Sequence, residues 1–177
     1  MSAKPRKRIL KFAAVLLTVA AVAFAFRVAW RDRLNAVRLA EVEARLAAEV
    51  DAGRVAESEA ELIRQANAAR VADKKPPLQY DDAEALDARE TARRNALYGR
   101  LFHPRRPRVF GAELCAAWSE TPRDAVRLWL ASENCKDILL GDYDRVAAGV
   151  ATDEDGRTYR VLRLWQGDDG NDVRTGK

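Results

Sequence analysis

Histidine is almost missing from this chain of 177 residues, which carries a single copy, His103. A metal site or proton relay built on two histidines is therefore excluded. Cysteine is scarce too: there are 2 copies, Cys115 and Cys135, so at most one disulfide can form. Charge of one sign is not in excess, with 31 Lys and Arg against 27 Asp and Glu giving a net charge of +4. Much of that surplus sits in Lys4, Arg6, Lys7, Arg8 and Lys11. No basic stripe interleaved with aromatics runs through the rest, so nucleic acid is not an expected partner. Repeats and low-complexity tracts are absent, and the length suits one ordinary domain plus an appendage, not two full domains.

Long apolar runs are also lacking, with one exception. Phe12 to Phe26 contains no charge, and Val28, Ala29 and Trp30 continue it past Arg27. A bilayer core needs about 20 apolar residues in a helix, a length this run reaches if Lys11 and Arg27 snorkel. The expectation for residues 1–30 is a single-pass anchor. The basic residues before the run keep the N-terminus in the cytoplasm, and Trp30 lies at the far interface. A signal peptide cut near Ala21-Val22-Ala23 is the competing reading, which would make the protein secreted. Either way the remainder is exported.

Residues 31–57 are expected to form an amphipathic helical stem, with Leu39, Val42, Leu46 and Val50 on one stripe and Glu41 four residues before Arg45. The stripe allows a homodimer through a short coiled coil, or packing on the domain that follows. Gly53 marks a break. The domain, residues 58–167, begins with a helix from Ser58 to Val71 that turns Leu62, Ile63 and Ala66 inward, followed by the Lys74-Lys75-Pro76-Pro77 loop. A second helix covers Asp82 to Tyr98, burying Leu86, Ala92 and Leu97 and ending at Gly99. Pro104-Arg105-Arg106-Pro107 interrupts regular structure, and Arg105, Arg106 and Arg108 form a local basic cluster. Strands are expected at Arg145 to Thr152 and Arg157 to Trp165, joined by a turn containing Asp155-Gly156, with a disordered tail over 168–177.

The most informative stretch is Gly111 to Leu140. A strand through Val109 to Leu114 leads to Thr121-Pro122-Arg123-Asp124, a helix start with Thr121 as N-cap, Pro122 in the first turn and Asp124 against the N-terminal dipole. Ala125, Val126, Trp129 and Leu130 recur at helical spacing as the buried face, and Glu133-Asn134 breaks the helix ahead of Cys135.

In order, these short motifs resemble the bacterial form of the CAP domain, the family of cysteine-rich secretory proteins, antigen 5 and pathogenesis-related proteins. Gly111-Ala112-Glu113-Leu114 is similar to the family's G-E-N strand, and Thr121 to Trp129 to its T-P-E-E-x-V-x-x-W helix. Ser132 to Leu140 resembles its S-P-G-H-R-x-N-L-L loop. Upstream, Asn67 and Arg70 match an N-x-x-R, Pro77-Leu78-Gln79-Tyr80-Asp81 resembles a P-L-x-x-D, and Leu101-Phe102-His103 resembles an F-x-H. Downstream, Val146 to Val150 resembles a G-V-G-V strand.

The resemblance implies an α+β fold, an α-β-α sandwich, behind the anchor and stem. It also implies a cleft lined by two histidines and two acids. Carried over by position, His103 stands for the first histidine, Glu113 and Asp124 for the acids, and Cys135 for the second histidine. The cleft thus has a degenerate residue set, and residues 104–112 between His103 and Glu113 are a shortened loop. No cofactor and no metal are expected. A Cys115–Cys135 disulfide is expected in the oxidising exported compartment, against the alternative of two small buried thiols. A Cys135 nucleophile activated by His103 is disfavoured for want of a nucleophile motif.

The expected function is a membrane-anchored, periplasmic or surface-facing module that binds or scaffolds a protein, lipid or cell-wall ligand and is not an enzyme. Two alternatives stay open: a metal-independent hydrolase or protease using His103 and Glu113, and a carrier of lipid or another small apolar ligand.

Overall fold

The computed structural model describes residues 4–103 and 111–167, with side chains described from residue 16 onward. The Pro104–Arg108 cluster and the tail over 168–177 lie outside the described residues. Helix α1 runs without interruption through Lys4–Asp51, so anchor and stem are one rod. Among the described residues no helix is long and apolar enough to cross a membrane. The expected span is therefore not met by those residues, and its first part, Phe12 to Val15, has no described side chains.

The stem's stripe is used by its own domain. Leu46 is 2% exposed and joins the core with Val55, and Val50 packs against them. Asn35 donates to the Lys75 carbonyl, and Lys74 pairs with Asp32, which clamps α1 onto the loop after α2 (Glu57–Ala72). The break falls at Gly53, whose φ of +71° is easy only for glycine.

The domain has four strands, β1 (Gln79–Tyr80), β2 (Gly111–Ala117), β3 (Arg145–Thr152) and β4 (Thr158–Trp165), in the order β1-β3-β4-β2. Only the β1–β3 pair is parallel. The β3–β4 turn closes at Gly156 with φ +79°, where the Asp-Gly signal places it. Successive side chains in a strand point to opposite faces. Leu114, Ala116, Val146, Ala148, Leu162 and Leu164 therefore build one core with α2 and with α4 (Pro122–Ala131). Cys115, Ala147, Ala151, Val161 and Trp165 face α3 (Ala85–Tyr98). Helices cover both faces, as the expected α+β sandwich requires.

Two local expectations are corrected. Leu86 and Leu97 are not buried but 73% and 77% exposed, because α3 meets the sheet through Ala85, Ala88 and Ala92. A Cβ on Gly149 would lie 2.3 Å from the Ala88 backbone, so the helix rides too close to β3 for larger side chains. Cys135 is not in a loop: α4 ends at Ser132 and α5 (Glu133–Leu139) begins at once. The start of α4 is as expected, with the Thr121 side chain accepting from the Asp124 backbone N–H.

Asn67 and Arg70 of α2 are structural. Asn67 exchanges two hydrogen bonds with the Leu78 backbone, at 2.9 and 2.8 Å. Arg70 is 1% exposed and donates to the carbonyls of Pro76, Leu139, Gly141 and Tyr143. It thereby satisfies the C-terminal end of α5 and the approach to β3. Replacing Arg70 by Met strands those acceptors and should lower stability by about 3 kcal/mol or more. Lys should rescue little, since a single ammonium cannot span four carbonyls. Urea unfolding followed by far-UV circular dichroism measures both, and an unchanged midpoint for Arg70→Met would refute the assignment.

Candidate functional site

The site forms where α3 ends against β2. Gly99 caps α3 in a left-handed turn at φ +62°, and the chain doubles back. The Asn95 side-chain oxygen accepts from the Phe102 N–H at 2.8 Å, which fixes the segment carrying His103. Phe102 is half-buried, with Tyr98 edge-on at 5.6 Å and the Arg100 guanidinium 4.2 Å above its ring. His103 thus reaches Glu113 on β2. Its Nδ1 lies 3.1 Å from Glu113 Oε1.

Glu113 is held from behind. Arg163 is its register partner on β4 and donates from Nε to Oε2 at 3.0 Å. Thr91 Oγ1 donates to the same oxygen at 3.5 Å. Arg163 is itself buried, contacting Glu84 and standing 3.4 Å from Asp87, so one guanidinium ties the start of α3 to β2. Burial alone would raise the Glu113 carboxyl, but the hydrogen bonds from His103 and Arg163 hold it below its usual range. The Glu113 hydrogen bond raises His103 despite partial burial. Cys115 completes the group, with Sγ at 3.5 Å from Glu113 Oε1, 3.7 Å from His103 Nδ1 and 3.6 Å from the Phe102 carbonyl. Burial, with the Glu113 carboxylate beside it, pushes this thiol strongly up, so it is a protonated donor and not a nucleophile.

Of the four residues carried over from the resemblance, the fold gathers His103 and Glu113 only. Asp124 caps α4 through Thr121, and its carboxyl is lowered by that hydrogen bond. Cys135 packs into the core with Leu114 and Ala116, on the opposite sheet face from Cys115. The expected Cys115–Cys135 disulfide is therefore corrected: both cysteines are free and the sheet lies between them. The Cys135 nucleophile reading fails for the same reason.

The cause is the alternation of the strand, which sends neighbouring residues to opposite faces. Ala112 shares the α4 face with Leu114, while Glu113 shares the α3 face with Cys115. The two-residue spacing of Glu113 and Cys115 already placed them together. Arg163 announced itself as a charge interrupting an apolar strand, although nothing in the sequence named its partners. Trp129 and Trp165 are packed, at 2% and 4% exposure, while Trp118 is 68% exposed.

A family model described as the cysteine-rich secretory protein family, CAP, matches residues 63–164. Among solved structures, an outer surface protein of Borrelia burgdorferi is similar, with TM-score 0.53 and 18% identity over 59% of this chain and 89% of that one. At that identity the likeness concerns the fold. None of the curated proteins matches the chain significantly.

Because the chain has one histidine, its proton titration is unambiguous. The His103 midpoint should lie above the ordinary value of about 6.5 and drop toward it in Glu113→Gln. The His103–Glu113 contact therefore stabilises the fold fully below pH ~6.5 and fades as pH rises through the raised midpoint. Proton NMR of the imidazole checks this, and an unshifted midpoint contradicts it. Thiol titration of unreduced, denatured protein should count both cysteines as free; none would restore the bridge.

Proposed function

The chain belongs to the cysteine-rich secretory protein (CAP) family, and from that premise we propose that it works outside the cytoplasm as a non-catalytic binding or scaffolding module held at a membrane by α1. The observation that carries the first half is the dispersal of the cleft residues. Glu113 is committed to Arg163, Asp124 to its helix cap, and Cys135 to the opposite core. The anchor is supported by Leu16, Leu17, Val19, Val22, Phe24 and Phe26, which stand between 61% and 72% exposed. A helix apolar on all sides prefers lipid to water by about 25 cal/mol per Å². Basic residues preceding it favour an exported domain. The family's description as secretory, and the similar outer surface protein, agree with that placement.

A groove of about 610 Å³ between the end of α3 and the β3–β4 turn offers the binding surface. Arg93, Leu97, Tyr98, Asp153, Asp155 and Arg157 line it. Charges of both signs interleaved with Leu97, Tyr98, Ala96 and Ala151 suit a peptide or polar polymer better than a lipid, so the carrier reading is the weaker one.

One observation favours the hydrolase reading as runner-up. The His103 side chain is 60% exposed, and Glu113 orients its Nδ1, an arrangement that suits a general base. The experiment separates the two. Carbonate extraction should leave the full chain in membranes and release residues 31–177, with the domain open to protease from outside the cell. Photo-crosslinking from position 97 in intact cells should capture the same partner in wild type and His103→Ala. If His103→Ala instead traps an uncleaved partner that wild type releases as fragments, the module is a hydrolase.

A further inference from the structure

We propose that His103, Glu113 and Cys115 form a binding site for a thiophilic divalent cation such as zinc, with His103 Nδ1, Glu113 Oε1 and Cys115 Sγ as its three protein ligands. These atoms stand 3.1, 3.5 and 3.7 Å apart. A tetrahedral zinc ion, bound at about 2.0–2.1 Å to nitrogen and oxygen and about 2.3 Å to sulfur, separates its ligand atoms by roughly 3.3 to 3.6 Å. The trio already occupies three corners of that tetrahedron. His103 is exposed, so the fourth corner is open to water. Three protein ligands with one open position is the form that divalent sites take when they bind an exogenous group.

The surroundings point the same way. Arg163 and Thr91 both hold Glu113 Oε2, leaving Oε1 turned to His103 and Cys115. Asn95 is fully buried, and its side-chain oxygen fixes Phe102 next to His103. Its Nδ2 is buried with no hydrogen-bond partner, and the same side chain acts on Cys115. An orphaned donor beside a sulfur acquires an acceptor once that sulfur is a thiolate.

Binding replaces protons. The Cys115 S–H bond breaks, its electron pair goes to the metal and its proton to solvent. His103 coordinates through Nδ1 and keeps its proton on Nε2. This site differs from the two-histidine arrangement of the family, since its sulfur comes from the α3 face of β2 and Cys135 takes no part.

The test is Co²⁺ titration of the tag-free, metal-stripped full chain in detergent micelles. One Co²⁺ per chain should bind and produce the near-ultraviolet thiolate-to-cobalt absorption. Cys115→Ser should abolish that band, and Cys135→Ser should keep it. Asn95→Ala should weaken binding about ten- to a hundredfold. Wild type needs no substitution for a second readout: Zn²⁺ should shift the single imidazole resonance and suppress its titration. Absence of the band, a band that follows Cys135, or a His103 titration unchanged by Zn²⁺ would each overturn the site.

Discussion

A buried guanidinium organises the α3 side of this molecule. Arg163 lies on β4, an inner strand, where an unpaired charge would cost several kcal/mol. Its three carboxylates come from two places: Glu84 and Asp87 near the start of α3, and Glu113 across the ladder on β2. Satisfying one cation thus sets the position of α3 and the orientation of Glu113 together. Once α3 is placed, Thr91 and Asn95 follow one and two turns on, Gly99 ends the helix, and His103 is delivered to the free oxygen of Glu113. The site is a consequence of how the sheet accommodates its own charge.

The opposite face depends on different chemistry. There Arg70 gathers backbone carbonyls, not carboxylates, and Trp129 crosses from α4 to donate to the Cys115 carbonyl at 3.0 Å. Stability is invested in joining α2, α5 and the approach to β3, which leaves Asp124 at the outer end of α4 and Cys135 in apolar packing. The two faces share β2, whose alternate residues serve the core and the site. Leu114 and Ala116 serve one, Glu113 and Cys115 the other.

Elements whose signals are local were legible in the sequence. Thr121-Pro122 fixed the start of α4, Gly99 the end of α3, and Asp155-Gly156 the hairpin, since each depends on backbone geometry within a few residues. The buried face of α3 was not legible. Leucine carries the stronger hydrophobic signal, but the close approach at Gly149 admits only alanine, and that approach is a property of the partner strand. The partners of Arg163 were hidden for the same reason: Glu84 lies 79 positions away. Family resemblance located α4 and β2 correctly and still misled about the cleft, because matching motifs by order says nothing about which strand face a residue occupies.

That distinction bears on what the site can become. On a helix, moving a residue by one position rotates it by about 100° and leaves it near its old surroundings. On a strand the same move carries it through the sheet. Glu113 therefore shares its surroundings with Cys115 and Arg163, not with Leu114 beside it in the sequence. The α4 face holds Cys135 in its apolar packing, and the chain's one histidine is on the other side. The α3 face, by contrast, already holds a nitrogen, an oxygen and a sulfur within 4.8 Å of one another, with their supports in place.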